Sequence, residues 1–187
     1  MVYLGFNLGD NMIITLCGSA RFESHFHLWN EILTLSGHTV FSLAVYPSTK
    51  KGVKNWYSKE EKKILDKAHE SKINASSAVV FLNVMAYMGP STLHEVQYAR
   101  RAGKKIYALE SWGKGNGIGG NHYGYIQKKA QELGVFREGS PIDTFYPHFR
   151  DIYDLLPDAG GFRSGLVERV EKFEAEYYKE PIERKRK

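Results

Sequence analysis

At 187 residues with 42% apolar and 25% charged side chains, the chain suits one soluble globular domain with a full core. A single cysteine, Cys17, excludes an intramolecular disulfide, and the sequence shows no zinc-type cysteine–histidine spacing, no run near the ~20 apolar residues needed to cross a bilayer and no signal peptide, so a reducing cytoplasm is expected. Arg184, Lys185, Arg186 and Lys187 against Glu183 put +3 of the net charge of +5 into the last six residues, which makes the excess a solvated tail over 179–187 and argues against a nucleic-acid-binding face.

Residues 1–11 carry no pattern and read as a loose extension of a domain spanning 12–178. Ile13 to Cys17 is a short β-branched run, the first strand, ending in Gly18-Ser19. From Phe22 to Ser36 the apolar residues Phe22, Phe26, Trp29, Ile32 and Leu33 recur at helical spacing, with Gly37 as the stop. His38–Val45 reads as the second strand, and 46–57 as a polar connection. Ser58 with Glu61 forms a capping box opening a helix whose expected inner face is Ile64, Leu65, Ala68 and Ile73. A third strand is expected at Ala78–Val84, a helix from about Thr92 to Ala102 stopped by Gly103, and a fourth strand at Lys104–Leu109. A glycine-rich stretch, Gly113–Gly124, precedes a helix over Ile126–Leu133. A short element near Phe149–Leu156 and a helix over Arg163–Tyr178, with Leu166, Val170 and Phe173 inward, complete the chain. Alternating strands and helices with parallel-type strands predict an α/β fold: a three-layer α/β/α sandwich with a parallel, flavodoxin- or Rossmann-like sheet and right-handed crossovers.

Ligands of such sheets bind beyond the carboxyl ends of the strands, so the loops there hold the candidate site. In the turn after the first strand, Gly18 allows close approach to the backbone, and Ser19 and Arg21 offer a hydroxyl and a guanidinium beside a helix N-terminus, a set suited to a phosphate or sugar hydroxyl. Ser19 as a plain helix cap with Arg21 solvated is the competing reading. The turn after the third strand runs Gly89, Pro90, Ser91, Thr92, with Glu95 expected on the first turn of the next helix. There too a structural role competes, because Thr92-x-x-Glu95 is itself a capping box. Convergence of the two loops at one edge of the sheet favours a shared cleft.

Tyr46, Trp56 and Tyr57 can stack on a planar base, but packing of their loop onto the body is the commoner role. Gly115-x-Gly117-x-x-Gly120 matches a dinucleotide fingerprint in the wrong place, after the fourth strand and without an acid at the ribose-reading distance. Cys17 reads as a small core residue, and His25, His27, His69 and His94 show no metal spacing and read as solvated helical histidines.

The segment from His69 to Lys104 resembles the nucleoside 2-deoxyribosyltransferase-like superfamily, which includes 2′-deoxynucleoside 5′-phosphate N-hydrolases; Leu16 to Arg21 resembles its first loop, and the likeness covers roughly residues 13–110. The resemblance implies that Glu95 matches the family nucleophile, in a pattern of glycine/serine turn, glutamate, small residue and Ala-x-x-x-Gly-Lys. It implies that Gly18, Ser19 and Arg21, with Asn83, Tyr87, Gly89, Ser91 and Thr92, bind the substrate, a (deoxy)nucleoside or its 5′-monophosphate. It further implies no cofactor or metal, and a homo-oligomer. One departure stands out. Relatives carry an aspartate shortly after the position of His69 that assists the departing base; here Lys72 stands there with Asn74 nearby, and Asn83 replaces a frequent acid. A lysine can place a proton or bind an anion, so Lys72 is the second catalytic candidate. The expected activity is N-glycosidic cleavage or base exchange through Glu95, with a non-catalytic nucleotide sensor that keeps the pocket as the alternative, and a dinucleotide-dependent oxidoreductase as a third.

Overall fold

The computed structural model describes residues 11–46, 57–84, 89–109, 149–158 and 160–177. Five parallel strands form one sheet: β1 (Ile13–Gly18), β2 (Thr39–Phe41), β3 (Ala78–Leu82), β4 (Lys105–Ala108) and β5 (Arg150–Asp151), in the order β2-β1-β3-β4-β5. That order is the flavodoxin-like one, and it reverses between β1 and β3.

Alternation along the strands divides the core between the two faces. Ile14, Leu16, Ala78, Val80, Leu82 and Tyr107 pack with Phe26, Trp29, Ile32 and Leu33 of α1 (Glu23–Leu35) and with Leu166 and Val170 of α4 (Gly160–Tyr177). Cys17, Val79, Phe81, Ile106 and Ala108 pack instead with Ile73 of α2 (Lys59–Ala75) and with Val96 and Ala99 of α3 (Pro90–Arg101). Helices on both faces of a parallel sheet give the three expected layers. Among the described residues, no helix is long and apolar enough to cross a membrane.

The helix stops follow from local chemistry. After α1, Gly37 takes φ +91°, its N–H bonds the Thr34 carbonyl and that of His38 bonds the Leu33 carbonyl, a Schellman closure that needs the left-handed residue. Ser58 opens α2 with both halves of the capping box.

Several expected elements are corrected. β2 is only Thr39–Phe41, because β1 offers it just Ile13–Thr15 as partners before the chain turns out at Ser42. His38 instead accepts a hydrogen bond at Nδ1 from the Met12 N–H and donates from Nε2 to the Leu155 carbonyl. β3 stops at Leu82, where its pairing with Gly18 of β1 ends. On α2 the buried residues are His69 and Ile73; Ile64 is 67% exposed, Ala68 is exposed and Leu65 is half-buried, because the C-terminal half of the helix carries the contact with the body. α3 begins at Pro90 with Gly89 as its N-cap, two residues before its expected start. The short element near Phe149–Leu156 is β5 followed by a 3-10 turn at Ile152–Leu155. Phe173 of α4 is half-buried, its ring edge-on to His25 at 5.0 Å. The loose extension over 1–10, the connection over 47–56, the glycine-rich segment with the helix over 126–133 and the tail over 179–187 lie outside the described residues.

Candidate active site

β1 and β3 end side by side at the point where the strand order reverses, the place where ligands of this architecture bind. The end of β1 supplies Cys17 and Gly18. Gly18 takes φ +144°, and a Cβ there would stand 3.1 Å from the Leu82 carbonyl oxygen, so the close approach of the two strand ends depends on glycine.

α3 brings Glu95. With Gly89 as N-cap and Pro90 in the first helical position, Thr92 is already inside the first turn and Glu95 falls in the second. The Thr92–Glu95 capping box is therefore not formed, and the first-turn placement of Glu95 is corrected. Thr92, Val96 and Ala99 are buried, and Glu95 lies on the same stripe at i, i+3, i+4 and i+7 spacing. Its carboxylate reaches across to β1, where the Gly18 N–H donates to Oε2 at 3.3 Å. α2 brings His69, one turn before buried Ile73. Its Nε2 lies 3.7 Å from Glu95 Oε1 and 3.4 Å from Cys17 Sγ. Cys17, His69 and Glu95 each offer a ligand atom within 4.8 Å of the others, the set among the described residues able to hold a metal ion.

Burial dominates the electrostatics. Desolvation raises the Cys17 thiol well above its ordinary value, with the Glu95 charge adding to it. Desolvation, helped by Lys72, lowers His69 to about 4. Desolvation raises Glu95 to about 8, against the Gly18 hydrogen bond and with a smaller push from Asp66. The close approach of His69 and Glu95 is thus not an ion pair near neutrality: thiol, imidazole and carboxyl are all uncharged there. A carboxyl within about a unit of neutrality can act as an acid when protonated and as a base or nucleophile when ionised.

Among solved structures, the chain is similar to a conserved protein from Enterococcus faecalis V583, with 14% identity over 86% of this chain and 99% of that chain and a TM-score of 0.46. No protein-family model matches the chain, and no curated protein does.

The other expected site residues fall around this centre in different ways. Ser19 makes no capping bond with its side chain, which removes its competing role as a helix cap. It leads into a 3-10 turn, Ala20–Phe22, that holds exposed Arg21; α1 starts only after it, with Glu23 in its first turn. The helix end expected to attract an anion therefore carries an acid of its own. Asn83 is fully buried directly after β3. Gly89 caps α3, Ser91 is exposed and Thr92 is buried; Tyr87 lies outside the described residues. Lys72 forms no ion pair with Glu95: its ammonium donates to the Ser42 carbonyl at 2.6 Å. The group that meets Glu95 is His69. Tyr46 packs onto α1, edge-on to Phe26 at 5.6 Å, while Trp56 lies outside the described residues.

Sequence reading missed Cys17 and His69 as partners of Glu95, and the solvated reading of the histidines holds only for His27 and His94, whose side chains are 65% and 58% exposed. His25 is buried, edge-on to Phe173 and Tyr177. A usable signal for His69 was present: Leu65, His69 and Ile73 fall at i, i+4 and i+8, on one stripe of α2.

Proposed function

We propose that the protein cleaves or exchanges the N-glycosidic bond of a (deoxy)nucleoside or its 5′-monophosphate, with Glu95 as the nucleophile. The observation that carries this reading is the placement of Glu95: a buried carboxyl at the switch point, spared from capping and held by the β1 amide. Ionised Glu95 attacks the anomeric carbon as the bond from that carbon to the base nitrogen breaks, passing through an oxocarbenium-like transition state to a covalent glycosyl-enzyme. Water or a second base then displaces the carboxylate, and the double displacement retains the sugar's stereochemistry. In this reading Ser19 and Arg21, which follow the end of β1, meet the sugar's 5′ end.

Base departure has little help in this arrangement. His69 is neutral, and Lys72 is committed to the Ser42 carbonyl, so its charge acts at a distance. General acid assistance is typically worth ~10²–10⁴-fold, so turnover is expected to be slow and confined to bases that leave easily.

Incubation with a panel of deoxynucleosides and their monophosphates, followed by chromatography for free base, tests the reading. Slow release that disappears in a folded Glu95→Gln variant is the expected result. Full activity in that variant, or no free base from any substrate, overturns it; tight nucleotide binding without release marks a sensor instead.

A further inference from the structure

We propose that Cys17, His69 and Glu95 form a three-ligand site for a divalent transition metal of the zinc class. Three separate elements, the end of β1, the C-terminal half of α2 and the second turn of α3, aim one thiol, one imidazole nitrogen and one carboxylate at a common point. Sγ to Nε2 is 3.4 Å and Nε2 to Oε1 is 3.7 Å, with all three groups within 4.8 Å. A tetrahedral ion with bonds of about 2.3 Å to sulfur and about 2.0–2.2 Å to nitrogen and oxygen sets its ligand atoms ~3.3–3.6 Å apart. The two spacings to His69 Nε2 lie within a few tenths of an ångström of these values, and the thiol and carboxylate, within 4.8 Å of each other, close on the ion by small side-chain rotations.

Direct hydrogen bonding joins only part of the cluster, the Cys17 thiol and His69 Nε2 at 3.4 Å. The His69–Glu95 approach of 3.7 Å is too long for a hydrogen bond, and the Cys17 thiol has only a weak 3.9 Å contact with the Thr15 carbonyl besides His69. Glu95 accepts a hydrogen bond at Oε2 from the Gly18 amide. Buried polar groups normally pair with one another, and here the Glu95 carboxylate is hydrogen-bonded to neither the thiol nor the imidazole that it faces. An ion at their centre supplies what the protein groups do not supply to one another. The Gly18 amide holds Oε2 and so turns Oε1 toward His69, the orienting role that outer groups play around metals.

The donor set selects the ion. Magnesium and calcium take oxygen ligands, whereas a thiolate with an imidazole and a carboxylate suits zinc and its neighbours. Three protein ligands leave a fourth position for water or a ligand, and Glu95, with 16% of its side chain exposed, lies on the way in from solvent. Binding at His69 Nε2 places that ring's proton on Nδ1, and the Cys17 proton passes to solvent as its thiolate takes the metal. The inference does not depend on the glycosidic reading.

The test uses tag-free, full-length protein, reduced and freed of metal by a chelator, titrated with Co²⁺ and then Zn²⁺. One equivalent of Co²⁺ should give an intense thiolate-to-cobalt charge-transfer band that Zn²⁺ abolishes and that Cys17→Ser lacks. Glu95→Gln and His69→Ala should each weaken zinc binding by at least ~10-fold, a loss that changes even outside the ligand shell can cause. Because Cys17 is fully buried, X-ray absorption of the zinc-loaded natural protein provides a readout free of any variant: one sulfur at about 2.3 Å with nitrogen and oxygen neighbours. A folded protein without the band, a zinc shell without sulfur, or unchanged binding in the folded Glu95 and His69 variants overturns the site. Base release enters none of these readouts, so failure of the catalytic reading and failure of the metal site are told apart.

Discussion

Glu95 faces β1 because it shares the buried stripe of α3 with Thr92, Val96 and Ala99, and a helix that starts at Pro90 leaves it too far along to cap its own end. The consequence is a carboxyl whose folded value of about 8 lies above the ordinary 4.5. If attack needs the ionised form, base release should rise tenfold per pH unit up to about 8 and then level off. A rate flat from pH 6 to 9 would count against Glu95 as nucleophile. Stability must move the opposite way. The fold binds this proton more tightly than the unfolded chain does, so the Glu95 contribution is fully present below about 4.5 and lost as pH rises toward 8. His69, lowered from 6.5 to about 4, contributes above 6.5 and loses that contribution as pH falls through 4. In metal-free protein, Glu95→Gln should therefore stabilise at pH 9, on the order of a few kcal/mol, and do little at pH 4. Urea midpoints at the two pH values check this. Glu95 also cannot hold a metal and attack carbon at once, so stoichiometric Zn²⁺ should suppress base release and a chelator restore it.

At the scale of elements, the start of α2 and the end of β1 each depend on a short local signal. Ser58→Ala removes both halves of the capping box and should cost about 1 kcal/mol, seen as a lower urea midpoint with little change at the site. Gly18→Ala forces a side chain into φ +144° and to within 3.1 Å of the Leu82 carbonyl. It should cost ~1–3 kcal/mol and also displace the amide that Glu95 accepts from, so activity should fall more than stability alone predicts. The capping box and the stops at Gly37 and Gly103 were legible because they involve neighbours in sequence. The length of β2 was not: His38–Val45 has strand-forming composition throughout, but an edge strand runs only as far as its one partner and its exit allow. The stripe on α2 was misread toward Ile64 for a related reason, since periodicity identifies a face but not how much of the helix meets the body.

For the molecule as a whole, the sheet separates two cores of different consequence. Trp29 lies in the core under α1, and Phe81 in the core that also contains Cys17, its pairing partner across β1 and β3. Replacing either with alanine should cost ~3–5 kcal/mol by denaturant unfolding. At equal stability loss, Phe81→Ala should impair Zn²⁺ binding and base release more than Trp29→Ala, because it hollows the floor beneath the site. By itself the sequence determined the alternation of strands and helices and the parallel sheet covered on both faces, since composition, periodicity and caps are properties of neighbouring residues. Only the tertiary structure decided that Glu95 meets Gly18 and His69 rather than its own helix cap, that Lys72 is held at Ser42, and that Cys17 belongs to the site. Those contacts join residues from 26 to 77 positions apart, and their geometry depends on where three elements land on one sheet, which no local pattern encodes.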